Sequence, residues 1–168
     1  MSDLNTALPD VNGATRRLNA ETLKAIVISG AVGTVSFDLW GQAISPMLGF
    51  ANLAPVGLAR SLLGALGLPN GAPAGNLMHY FLVGLLAYPI GWLFLFRPAQ
   101  QRLLPSMPAL LSAVLYGIAL WVFAIGGVTA VAGLKFFLGF KGITWVALVG
   151  HVFYAVAAAL TFDHLARR

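Results

Sequence analysis

The stretch ALLSAVLYGIALWVFAIGGVTAV, at residues 109–131, decides the fold class of this protein. It contains no Lys, Arg, Asp, Glu or His, and it matches the length of about 20 residues that a helix needs to cross the hydrocarbon core of a bilayer. Lipid offers no hydrogen-bond partner to a free backbone group, so a segment of this composition must satisfy its own backbone. The stretch is therefore predicted to be a transmembrane α-helix.

Three further segments of similar length and composition predict the rest of the architecture. They lie at 25–47, 76–96 and 143–164, and they are too long and too continuously apolar for the strands of a barrel with a polar interior. The chain is therefore predicted to be all-α, a polytopic membrane protein built as a four-helix transmembrane bundle. Residues 1–24 are predicted to be a polar cytoplasmic tail, and residues 25–168 the transmembrane domain.

The composition of the 168 residues agrees with a protein solvated by lipid. The chain is 59% hydrophobic and 9% charged, whereas a soluble domain carries about 25% charged residues. It has no cysteine, which excludes disulfides, thiolate zinc sites and covalent c-type haem. The net charge is +5, but the basic residues form no stripe with interleaved aromatics, so no nucleic-acid partner is expected.

The distribution of Lys and Arg predicts the orientation in the membrane. Basic residues are enriched in cytoplasmic loops, and here they favour the side that carries both termini. That side has Arg16, Arg17, Lys24, Arg97, Arg102, Arg167 and Arg168, and the opposite side has Arg60, Lys135 and Lys141. Both termini are therefore predicted to be cytoplasmic.

The outer loop between the first two spans contains an apolar segment of its own, PVGLARSLLGALGLP at residues 55–69. Pro55 favours a helix start, and Gly67 with Pro69 favours a helix end. The segment is too short to span a bilayer. It is predicted to form a short interfacial or re-entrant helix over the outer end of the bundle.

Asp38 is the most informative polar residue, because a carboxylate inside a span costs a few kcal/mol to insert. Thr34 and Gln42 recur at helical spacing with it, so this face of the helix is expected to turn toward the other spans. His151 is expected at a similar depth and His79 closer to the surface, so that all three residues fall in the outer half of the membrane. The residues predicted to form an intramembrane polar cluster are Thr34, Asp38, Gln42, Asn76, His79, His151 and Tyr154.

Several functions are compatible with such a cluster. Hydrogen bonds among these side chains suffice to hold helices together. His79, His151 and Asp38 are candidate metal ligands, and the two histidines are candidate axial ligands of a b-type haem. Asp38 is also a candidate proton or ion site for a small carrier.

Three stretches of the chain resemble small bacterial four-span inner-membrane proteins that are classed as domains of unknown function: GAVGTVSFDLW, GNLMHYFLVGLLAYPIGW and ALVGHVFYAVAAAL. Such proteins pair a polar first helix with a His that opens the second helix, here His79, and a Gly–His that opens the fourth, here Gly150 and His151. The resemblance covers most of residues 25–164. It implies the four-helix topology and a bacterial inner membrane, and it implies no activity.

The sequence contains none of the short motifs expected of common enzymes. It has no HExxH pair, no Gly-rich loop leading into Lys and Ser or Thr, and no Ser in a GxSxG elbow. We therefore expect a non-enzymatic inner-membrane protein, either a structural protein or a subunit of a larger complex. Its expected partners are the lipid bilayer and a homo-oligomer or a larger membrane complex.

Overall fold

A computed structural model describes residues 19–166 of the chain, and this part is helical without a β-strand. Four of its helices are long enough and apolar enough to cross a membrane. A shorter helix follows the first of them. In chain order these helices are α1 (Ala20–Met47), α2 (Pro55–Ala65), α3 (Ala72–Leu103), α4 (Ala109–Val131) and α5 (Gly142–Leu165). The prediction of an all-α four-helix transmembrane bundle with an additional short helix is confirmed.

The spans differ from their predicted bounds mainly at their ends. α1 begins at Ala20 because the Asn19 side chain caps it, accepting a hydrogen bond from the backbone N–H of Thr22 at 2.8 Å. Residues 20–24 are therefore helical and not part of the predicted tail. α3 continues to Leu103, beyond the predicted end at residue 96. Outside the described residues lie the rest of the tail and the basic residues Arg16, Arg17, Arg167 and Arg168.

The helix α1 lies at the centre of the packing. It packs most extensively against α5 and also against α3, while α5 packs against α4. Aromatic rings of one helix lie directly on glycines of the other: a Cβ at Gly33 would fall 2.8 Å from the Tyr154 ring, and a Cβ at Gly150 would fall 3.0 Å from the Phe37 ring. Small residues thus let α1 and α5 interlock closely.

Two more glycines allow helix backbones to approach each other. A Cβ at Gly30 of α1 would lie 2.6 Å from the Leu85 carbonyl oxygen of α3. A Cβ at Gly117 of α4 would lie 2.6 Å from the Cα of Val152 on α5. Both crossings place backbone against backbone, so a larger residue would have to push the helices apart.

The helices α3 and α4 contact each other only sparsely along their length. The side chain of Tyr116 bridges them: its hydroxyl donates to the Tyr88 carbonyl oxygen at 2.5 Å, and its ring centroid lies 5.4 Å from that of Trp92. Because α1 packs against α3 and α5, and α5 packs against α4, the helix order around the bundle is α3, α1, α5, α4. A gap separates α3 from α4.

One end of this gap is covered by α2, which packs against both α3 and α4. We call this end of the bundle the α2 end. The segment before α2 is fixed to α1 by a hydrogen bond from the Leu53 N–H to the Gly41 carbonyl oxygen at 2.9 Å. The segment after α2 is held by Arg60, whose Nε donates to the Asn70 carbonyl oxygen at 2.8 Å.

The loop between α4 and α5 also folds back onto the bundle at the α2 end. Phe137 is buried there although its backbone is left-handed, with φ of 46°, an uncommon conformation for a non-glycine residue. Its ring lies 4.7 Å from the Trp121 ring, and its carbonyl oxygen accepts a hydrogen bond from the Thr144 hydroxyl at 2.6 Å. These contacts hold the loop against α4 and α5.

The α4–α5 crossing predicts different effects of one substitution at two glycines of α4. Gly117→Val should lower the free energy of unfolding by about 1–3 kcal/mol, because its side chain would meet the α5 backbone. Gly127→Val is the matched control, since no atom lies within 4 Å of a Cβ built there. Thermal unfolding in detergent, followed by circular dichroism, measures both. Equal losses of stability would contradict the backbone-close crossing.

Candidate functional site

The Asp38 carboxylate lies within hydrogen-bond distance of two polar side chains. The Gln42 side-chain amide donates to Asp38 Oδ1 at 2.7 Å, and His79 Nε2 lies 3.3 Å from the same oxygen. The side chains of His79 and Asp38 are 13% and 20% exposed, so the pair sits at the edge of the bundle and not in its centre. The structure thus joins α1 to α3 through one carboxylate.

The other predicted members of the polar cluster are placed separately. The buried Thr34 hydroxyl donates to the Gly30 carbonyl oxygen of its own helix at 2.8 Å. Tyr154 of α5 donates to the Gly84 carbonyl oxygen of α3 at 2.6 Å. Asn76 is exposed. The structure therefore brings together Asp38, Gln42 and His79, and it distributes the remaining residues over other contacts.

The polar face of α1 turns inward only in part. Gly30, Thr34 and Ser45 are buried, whereas Asp38 is half-buried and Gln42 is exposed. The expectation that this whole face turns toward the other spans is wrong at Gln42. Gln42 lies in the segment Leu39–Ile44, where the helix has wider, π-type winding and the angle between successive residues differs from that of an α-helix.

His151 is buried deeper, with 4% of its surface exposed. Its Nδ1 lies 2.7 Å from the Ala147 carbonyl oxygen of its own helix. The Phe37 ring packs edge-on against it at a centroid distance of 5.0 Å and lies 6.1 Å from the His79 ring. Within residues 19–166, His151 makes no hydrogen bond with Asp38 or His79.

The metal hypothesis relied on His79, His151 and Asp38 acting together, and the haem hypothesis relied on the two histidines. In the part of the chain that the structure describes, no group of three or more His, Asp or Glu side chains is arranged to hold a metal ion. His79 Nε2 is engaged by Asp38, whereas, among the described residues, His151 hydrogen-bonds only within its own helix. Both histidines line one cavity.

The gap between α3 and α4 forms a cavity of about 920 Å³. It is backed by α1 and α5 and closed at the α2 end by α2. Residues from the middle of α3 toward its C-terminal end, and residues in the middle of α4, are exposed along the gap, so the mouth of the cavity opens sideways between α3 and α4, where a bilayer would surround the protein. The exposed residues at this mouth are Ala87, Leu95 and Ala99 of α3 and Ala119 and Phe123 of α4.

The cavity wall is almost entirely apolar. Within residues 19–166, no Lys, Arg, Asp or Glu contributes to it, and its polar side chains come from His, Tyr, Ser and Thr. Most of their hydroxyls donate to backbone carbonyls, as the Tyr116 and Tyr154 hydroxyls do. The Tyr88 hydroxyl and His151 Nε2 have no hydrogen-bond partner among the described residues. Ser29, whose hydroxyl is buried without a partner there, does not line the cavity.

The sequence alone does not predict this cavity. Tyr88 and Tyr116 are aromatic residues inside apolar spans, and nothing in their spacing shows that a gap separates their helices. The small residues Ala87, Gly91 and Ala119 along the gap are a signal, but small residues also mark close helix contacts. Only the order of the helices around the bundle distinguishes a gap from a close helix contact.

Fold and site together define an α-helical multi-pass membrane protein with a laterally open, apolar cavity. In comparisons with known proteins, the chain matches no protein-family model, no curated protein and no solved structure.

The Asp38 contacts predict tolerance of an amide at this position. Asp38→Asn retains an oxygen that can accept the Gln42 hydrogen bond, so we expect a change of less than about 1 kcal/mol in stability. Asp38→Leu removes the acceptor for both His79 and Gln42 and should destabilise the protein more. Thermal unfolding and size-exclusion chromatography in detergent measure the two variants. Loss of assembly with Asp38→Asn would mean that the negative charge itself is required.

Proposed function

We propose that this protein is a small, non-enzymatic membrane protein that binds a neutral, lipid-like molecule in the cavity between α3 and α4. The observation that carries the proposal is the cavity itself, which is large, apolar and open toward the position of the bilayer. Its volume of about 920 Å³ falls within the range of about 300–1,000 Å³ that is typical of small-molecule sites.

The absence of charge on the described cavity wall supports a neutral molecule. A phosphate group placed in an apolar cavity needs a basic partner, because an unpaired buried charge is very costly. No Lys or Arg of residues 19–166 lines this cavity. An uncharged molecule with a long hydrocarbon part meets no such penalty.

The position of α2 favours a small molecule over a transmembrane helix of a partner. A spanning helix is about 10 Å wide and would need a groove that is open from end to end. Here α2 packs against both α3 and α4 across one end. A second copy of the chain or a partner subunit is therefore the weaker proposal for the occupant.

The proposed location is the bacterial inner membrane, with both termini in the cytoplasm. The orientation is supported by the seven basic residues on the side of the termini against three on the other side, counted over the whole sequence. The bacterial membrane is supported by the resemblance of the chain to small four-span proteins of that membrane. The α2 end would then face the outer side.

A haem or metal protein is a second candidate, favoured by one observation. His151 donates its Nδ1–H to a backbone carbonyl and lines the cavity, which is the arrangement found in histidines that bind metals through Nε2. A Soret band, or stoichiometric metal in protein purified from cells supplied with haem and metals, would favour this candidate.

Blocking the cavity mouth tests the binding proposal. Purified protein in detergent is incubated with geranylgeranyl methyl ether, a neutral isoprenoid, and its one-to-one adduct is measured by native mass spectrometry. Ala119→Phe should lower the affinity by roughly tenfold or more, because the added ring enters the mouth. Ala130→Phe is the matched control: it is also an exposed alanine of α4, and it does not line the cavity.

A charged analogue separates neutral binding from general lipid binding. Geranylgeranyl diphosphate should form little adduct with the wild-type protein. Equal adducts of the two isoprenoids, or equal binding by the two variants, would overturn the proposal. A homodimer that forms no adduct would assign the α3–α4 gap to a second copy of the chain.

A further inference from the structure

His151 presents a hydrogen-bond acceptor to the cavity. A carbonyl oxygen can only accept, so the 2.7 Å contact with Ala147 places the proton of the neutral ring on Nδ1. The other ring nitrogen, Nε2, then carries a lone pair. His151 lines the cavity and is 4% exposed, and its Nε2 has no partner within residues 19–166. A ligand in the cavity would cover this nitrogen, and a buried acceptor needs a donor.

Tyr88 adds a hydrogen-bond donor to the same wall. Its ring centroid lies 6.2 Å from that of His151 and 5.3 Å from that of Tyr154. The hydroxyls of Tyr116 and Tyr154 are already committed to backbone carbonyls, whereas no residue that the structure describes accepts from the Tyr88 hydroxyl. One free acceptor and one free donor thus face the cavity from α5 and α3.

We infer that the molecule bound in this cavity is a neutral long-chain alcohol or phenol, and that His151 and Tyr88 recognise its hydroxyl group. This inference rests on the proposed function. The hydroxyl of the ligand donates to His151 Nε2, and the Tyr88 hydroxyl donates to an oxygen of the ligand. An ether of the same chain has no proton to donate, so it would leave the buried Nε2 unpaired.

A pair of ligands that differ in this proton tests the inference. Geranylgeraniol and geranylgeranyl methyl ether share one chain, and native mass spectrometry of the wild-type protein in detergent gives an affinity for each. The alcohol should bind roughly tenfold more tightly, as expected for one additional hydrogen bond in an apolar site. His151→Phe should remove this preference, so that the variant binds the alcohol and the ether with equal affinity.

Tyr88→Phe is a second test of the inference that remains informative if His151→Phe fails to fold. The Tyr88 hydroxyl makes no hydrogen bond with the described residues, so its removal should not disturb the fold. It should lower the affinity for both ligands severalfold, because the oxygen of either ligand can accept from Tyr88. Tyr80→Phe is the matched control, since Tyr80 is exposed and does not line the cavity. It should retain the wild-type affinity for both ligands.

The outcomes separate this inference from the proposed function. If the wild-type protein binds both isoprenoids equally, the recognition of a hydroxyl is wrong while the binding of a neutral lipid stands. If it binds neither, the proposed function fails. A preference for the alcohol that survives in His151→Phe, or an unchanged affinity of Tyr88→Phe for both ligands, would also overturn the inference, because it would assign recognition to other residues.

Discussion

Two close helix crossings determine how the four spans are arranged. Gly30 lets the α1 backbone approach α3, and Gly117 lets the α4 backbone approach α5. With α1 and α5 interlocked between them, α3 and α4 are held on opposite sides of a central pair. They cannot close the gap without breaking these crossings. The cavity is therefore a consequence of where the small residues lie, and its width is set by contacts made elsewhere in the bundle.

The hydrocarbon of the membrane also restricts which polar side chains can be buried inside the bundle. A polar side chain that is buried there needs a partner, and several reach a backbone carbonyl of another helix. Trp40 donates to the Val146 carbonyl oxygen at 2.9 Å, and Trp121 donates to the Thr144 carbonyl oxygen at 3.0 Å. Tyr88 and His151 differ from these paired donors, because each lines the cavity with one polar group that has no partner within residues 19–166. They add polar recognition to a cavity whose size, apolar wall and opening already suggest a binding site.

The sequence predicts the elements of this fold better than their arrangement. The long apolar segments are local signals that predicted the four spans. Pro55 at a helix start and Gly67 with Pro69 at a helix end are local signals that predicted α2. Asp38, His79 and His151 were all expected in the outer half of the membrane, and the structure brings Asp38 and His79 into contact. The exposure of Gln42 is a property of the folded helix α1, and the gap beside Tyr116 depends on which helices are neighbours. Neither property is encoded in the periodicity of one segment.

The sideways mouth of the cavity has a consequence for how any occupant is supplied. A molecule entering between α3 and α4 comes from the surrounding lipid and need not dissolve in water first. The quantity that sets saturation is then its mole fraction in the membrane, and diluting the sample with buffer changes that fraction little for a strongly partitioning compound. Two membranes with the same total amount of ligand but different amounts of phospholipid would thus load the protein to different extents.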